Sequence, residues 1–126
     1  DGATRSYIGR RTAQPSDAAI SRLLCKEAEG RGLKAHRGTI CTSDTFYLEE
    51  EKGAKALAAK GILSFEMECS VIFALGRLRG YRAAAILTVT GKIEGTDDRV
   101  LDPQSTADSL ERSLLCAFGA LSKLQA

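Results

Sequence analysis

Residues 61–80 read "GILSFEMECSVIFALGRLRG", and the way this run folds decides how the rest of the chain is read. It is apolar nearly throughout, yet Glu66 and Glu68 stand inside it with only Met67 between them. A carboxylate taken from water without partners costs free energy or loses its charge, so the two acids need a purpose. The front of the run, "ILSF", is short, apolar and bounded by Gly61, which suits a buried strand. From Cys69 onward, Ile72, Phe73, Leu75 and Leu78 mark a helix, and Gly80 stands where its C-terminal cap belongs. The next stretch, "YRAAAILTVT" (81–90), reads as a second buried strand.

Strand, helix, strand puts the Glu-Met-Glu triplet just beyond the carboxyl end of a parallel strand. In open α/β sheets that rim is where ligands bind. In an extended segment Glu66 and Glu68 share a face and Met67 points the other way. A carboxylate there can accept two hydrogen bonds from adjacent sugar hydroxyls, and its charge can steady positive character on a ring carbon. A structural reading competes: acids in the first turn of a helix gain about 0.3 to 1 kcal/mol from the backbone dipole. The triplet by itself does not separate the two.

Outward from this run the pattern repeats. In "QPSDAAISRLLCKEAEGRG" (14–32), Ser16 or Asp17 can cap a helix whose face carries Ile20, Leu23, Leu24 and Ala28. "LKAHRGTICTSDTFY" (33–47) reads as a strand running into a loop. "LEEEKGAKALAAKG" (48–61) reads as a short polar helix, weakened by Gly53. After the polar loop "GKIEGTDDRVLDP" (91–103), Asp102 and Pro103 start a last helix with Leu110, Leu114, Phe118 and Leu121 along one face. Strands apolar on both faces, alternating with helices, predict an α/β unit with a parallel sheet covered on each side.

At 126 residues, 44% hydrophobic and 27% charged, the chain has the size and composition of one soluble globular domain. A formal charge of +2, with both signs spread along the sequence, provides no basic face for nucleic acid. No apolar run reaches the roughly 18 to 20 residues of a membrane span, and no signal peptide is visible. Cys25, Cys41, Cys69 and Cys116 lack zinc-ligand spacing and sit among aliphatic residues. A reduced, cytoplasmic setting without a metal site is expected, with His36 as a surface or packing residue. The opening "DGATRSYIGR" reads like the interior of a fold, which points to a processed or truncated product.

"GTICTSDTFY" (38–47), followed after one helix by "FEMECSVIFALGRLRGYRAAAILTV" (65–89), resembles the nucleoside phosphorylase family of uridine, purine nucleoside and methylthioadenosine phosphorylases. The opening "DGATRSYIG" is similar to the middle of a family member. The resemblance implies a three-layer αβα fold, a mixed sheet with helices on both faces, of which residues 1–126 form the carboxy-terminal portion. It implies phosphorolysis: phosphate, the co-substrate, displaces a base from a nucleoside to give ribose 1-phosphate, with no further cofactor. It assigns Glu68, as the catalytic residue, to holding the ribose hydroxyls. It places Met67 against the sugar, Glu66 at the border of base and sugar, and Phe46 stacked on the base. Assembly as a homo-oligomer, a dimer or hexamer, also follows from it.

Three departures qualify the resemblance. Where uridine phosphorylases read the pyrimidine with Gln and Arg, "FYLEEEK" (46–52) offers Glu50 and Lys52; glutamate is not an amide donor and lysine lacks the planar fork. Where purine enzymes carry a proton-donating Asp, "TVTGKI" (88–93) has Gly91. With that acid missing, the expected base is uridine's, a purine being the alternative. The phosphate-gripping loop and arginines of the family belong to an amino-terminal half, and Gly9, Arg10 and Arg11 form only a short basic turn. A truncated relative that binds nucleosides without turnover is therefore the second reading. A glycosidase using Glu66 and Glu68 is the third, disfavoured because such acids stand about 5 to 9.5 Å apart across a bond.

Overall fold

Asp17 starts the first of the expected helices by accepting hydrogen bonds from the amides of Ala19 and Ile20, at 2.9 Å each. This satisfies donors that a helix start otherwise leaves open. The computed structural model describes residues 1–9, 12–45, 51–91 and 102–124, with only the backbone of Glu51 and Lys52. Its elements are α1 (Gly2–Ile8), α2 (Ala18–Gly30), β1 (Thr39–Thr42), α3 (Glu51–Ala58), β2 (Ile62–Glu66), α4 (Cys69–Arg79) and α5 (Pro103–Ser122). Helix α5 begins as its sequence predicts: Pro103 occupies the first turn and Asp102 accepts from the Ser105 amide at 2.9 Å. Helix α4 ends at Gly80, whose φ of 76° is left-handed, a conformation that costs glycine little.

Strands β1 and β2 pair in parallel, with Cys41 opposite Phe65 and Thr42 opposite Glu66. The carboxyl ends of both strands thus lie side by side, at the start of α4. Helix α1 packs against α4, and α2 against α5. Helices with a small parallel sheet make this an α/β arrangement, as expected.

Several details differ from the sequence reading. The opening residues form a helix, α1, because Asp1 caps it through the Thr4 amide at 2.6 Å. Residues 81–90 do not join the ladder of β1 and β2. They nevertheless keep the alternating burial of an extended chain, with Ala84, Ile86 and Thr88 turned inward more than Ala85, Leu87 and Val89. An apolar run suits a strand, but a ladder also needs a neighbouring backbone to bond with.

The sheet, too, is less covered than expected: both strands are half-buried or exposed throughout. Helix α5 departs most. Its predicted core face is exposed: Leu110 53%, Leu114 51%, Phe118 66% and Leu121 53%. The residues buried in α5 are small instead, Cys116 and Ala120, and α2, against which it packs, buries Leu24 and Ala28. Small residues let two helix backbones approach closely; Leu110, Leu114 and Phe118 of the bulky stripe remain exposed, while Leu121 borders the void along the seam. Glu27 reinforces the seam, pairing with Lys123 and, at 3.3 Å, with Arg31.

None of the four cysteines forms a disulfide, and His36 is exposed. Among the described residues, no helix is long and apolar enough to cross a membrane.

Candidate functional site

The parallel register brings Thr42 and Glu66 together at the carboxyl ends of β1 and β2. The Thr42 hydroxyl donates to Oε1 of Glu66. Oε2 of the same carboxylate accepts from two backbone amides, Glu68 at 2.7 Å and Cys69 at 2.6 Å. Glu66 therefore bends forward over the first amides of α4. This is the dipole-favoured placement of an acid, reached from outside the helix.

Burial pushes the Glu66 carboxyl up, but hydrogen bonds from Thr42 and from the Cys69 and Glu68 amides outweigh it and hold the group below its ordinary value. It is therefore ionised at neutral pH. Beneath it, burial pushes the Cys69 thiol up to about 12, aided by its bond to Glu66 and the negative charge of Glu66 and Glu68. A thiol so protected is no nucleophile at neutral pH.

Glu68 stands at the N-cap of α4 with φ −128° and ψ −25°, and its side chain caps nothing. The carboxylate is exposed and meets no hydrogen-bond partner among the described residues. Met67 beside it is 40% exposed. The pair does not share one extended face as the sequence suggested, because the strand ends at Glu66 and α4 begins three residues later. One acid faces the protein and the other faces solvent. Phe46 and Glu50 lie outside the described residues, as do the side chain of Lys52 and the basic pair Arg10 and Arg11. Gly91 is exposed.

A cluster of hydroxyls that the sequence reading passed over supports this corner. The Ser70 amide donates to Thr42 Oγ1 at 3.1 Å, and Ser70 Oγ lies 2.6 Å from Thr4 Oγ1. Thr4 is 2% exposed and donates on to Asp1 at 2.8 Å. The Gly2 amide is held by both oxygens of Asp44, at 2.9 and 2.8 Å. Ser70 and Thr4 are 66 positions apart, and nothing in local spacing announces such a meeting. An unusual density of Ser, Thr and Asp in "CTSDT" (41–45) is the one signal the sequence held.

A void of about 140 Å³ lies elsewhere, along the α2–α5 seam between Leu24, Ile86, Ala120 and Leu121. Its lining is aliphatic and shares no residue with the corner at Glu68, so it has no part in polar chemistry.

The profile of the Phosphorylase superfamily matches residues 2–125. A guanosine phosphorylase of Halorubrum lacusprofundi is 31% identical over 117 residues, covering 89% of this chain and 48% of that protein. A DeoD-type purine nucleoside phosphorylase of Roseobacter denitrificans is 35% identical over 96 residues, covering 72% of this chain and 40% of that protein. One from Jannaschia is 31% identical over 106 residues, covering 82% of this chain and 45% of that protein. The chain thus spans about half the length of the curated relatives it matches. With the match running almost from end to end, the chain belongs to the phosphorylase superfamily.

Proposed function

We propose that this chain carries the base- and sugar-binding portion of a purine nucleoside phosphorylase, with Glu68 accepting hydrogen bonds from the ribose hydroxyls. The observation that carries the reading is the state of Glu68: an exposed carboxylate at the rim of a parallel sheet, with no partner among the described residues. An ionised carboxylate accepts two donors side by side, which fits a vicinal diol. As the bond to the base breaks, positive character grows on the sugar ring, and a nearby negative charge stabilises it. Phosphate oxygen then bonds to the anomeric carbon, while the base leaves with the electron pair and gains a proton. Met67 supplies an apolar wall for the sugar, and Phe46 a ring for the base to stack on.

The preference for uridine gives way in this reading. It rested on the missing acid at Gly91, whereas the relatives named above act, by their names, on guanosine and purine nucleosides. Guanosine and inosine are accordingly the first substrates to try. A protein that joins this portion to the phosphate-gripping half should release guanine or hypoxanthine only when phosphate is present. Release of uracil from uridine instead returns the assignment to the pyrimidine side, and no release from any nucleoside rejects the catalytic reading.

Gly91 does favour a second reading, binding without turnover, because glycine transfers no proton to a departing purine. Calorimetry with inosine beside the turnover assay separates the two. Self-assembly belongs to the proposal as well: the exposed stripe on α5 supports a homo-oligomer, dimer or hexamer. Light scattering should return a mass at least twice the monomer's, and a monomer at micromolar concentration refutes it.

A further inference from the structure

We infer that Glu66 is a positioning residue and not a sugar ligand: together with Thr42 it holds the turn that leaves the Glu68 carboxylate unbound and aimed outward. This rests on the reading of Glu68 as the group that meets the pentose hydroxyls. At most helix starts the N-cap residue's own side chain accepts from the second or third amide. Here Glu68 is the N-cap and does not do so. Glu66 takes the Glu68 and Cys69 amides and Thr42 takes the Ser70 amide. The capping task has been moved off the N-cap side chain, which frees Glu68 for a ligand.

Proton counting gives the arrangement a fixed direction. A hydroxyl has one proton to donate. The proton of Thr42 goes to Glu66, so its lone pair is what receives the Ser70 amide. The proton of Thr4 goes to Asp1, so Ser70 Oγ must be the donor in the 2.6 Å pair with Thr4. Two ordered threads therefore leave Ser70. One runs from its amide through Thr42 to the Glu66 carboxylate, the other from its hydroxyl through Thr4 to Asp1. Three donors already engage the two oxygens of Glu66, which leaves at most one of its roughly four acceptor positions for a substrate hydroxyl.

Two measurements test this, the first on this chain and the second on the protein that joins it to the phosphate-gripping half. The first is structural and needs no activity. Amide proton shifts of Glu68 and Cys69 should titrate together with one carboxyl, at a pH below the ordinary glutamate range, and the titration should vanish in Glu66→Gln. The second is kinetic. Thr42→Val should lower the ratio of kcat/KM for inosine over 2′-deoxyinosine at least fivefold while KM for phosphate stays within twofold. Thr42→Ser should restore the ratio. A merely structural lesion would scale both nucleosides alike. Glu68→Gln should cut kcat/KM more than a hundredfold, and Glu66→Gln, whose amide oxygen can still cap, less than tenfold. The inference is overturned if Glu66→Gln matches Glu68→Gln while Thr42→Val is silent, or if the two amides do not titrate. An inactive wild type, or a harmless Glu68→Gln, instead sinks the proposed function, and the amide titration still decides the role of Glu66.

Discussion

Truncating two leucines and a phenylalanine shows which face of α5 is packed. Leu24 is 8% exposed in the α2–α5 seam, whereas Leu114 is 51% and Phe118 66% exposed on the outer stripe. Burying a large aliphatic or aromatic side chain contributes about 1.5 to 3 kcal/mol, and truncation inside a packed region adds a cavity cost. Leu24 retains nearly all of its burial and borders an existing void, which its truncation enlarges. Leu24→Ala should therefore cost about 3 kcal/mol. Leu114→Ala and Phe118→Ala give up only a half and a third of the burial term, with no closed cavity left behind. About 1 kcal/mol or less is expected for each. Alanine and leucine are both good helix formers, so propensity barely enters the leucine comparison. Urea unfolding followed by circular dichroism, repeated at several protein concentrations, reads these differences. If Leu114→Ala or Phe118→Ala costs as much as Leu24→Ala at concentrations where the chain is dispersed, the assignment of the small-residue face to the seam is wrong.

Further outcomes are expected elsewhere. The hydrogen bond from Arg82, with the amides of Ile20 and Ala19, holds the Asp17 carboxyl far below the usual carboxylate range. A depressed folded value means stability present above the unfolded value near 4 and lost as pH falls further; melting temperature against pH should lose part of its acid slope in Asp17→Asn. With its thiol near 12 and its side chain buried, Cys69 should resist alkylation at pH 8 in the folded chain and react once urea is added, as peptide mass will show. A Cβ at Gly76 would lie 3.0 Å from the Tyr81 carbonyl oxygen and 3.3 Å from the Ala83 Cβ. Gly76→Ala should thus destabilise by about 1 to 3 kcal/mol despite alanine's better helix propensity, and a higher melting temperature in the variant would contradict the close approach.

Local chemistry was legible in the sequence. Asp17, Asp102 with Pro103, and Gly80 mark helix ends because caps act within a few residues of where they stand. The strand "ILSF" and the helix after it follow from period and length, and with them the position of the acid triplet at a sheet rim. What Glu66 does there was not legible. Two acids one residue apart look equivalent until the register of β1 sets Thr42 opposite one of them and the turn into α4 points its amides the same way. The outer stripe of α5 misled for a related reason: periodicity shows that a helix has two faces, and an alanine-rich face competes with a leucine-rich one only when the neighbour is known. Phe46 and Glu50 lie outside the described residues, so the base side of the site stands on the resemblance. Sequence determined most of the elements and the family, since both are written in short-range patterns, but not the opening helix or the unpaired state of 81–90. Tertiary structure decided which acid is spent on the fold and which is left facing solvent, because hydrogen-bond partners 24 and 28 positions away cannot be read from spacing.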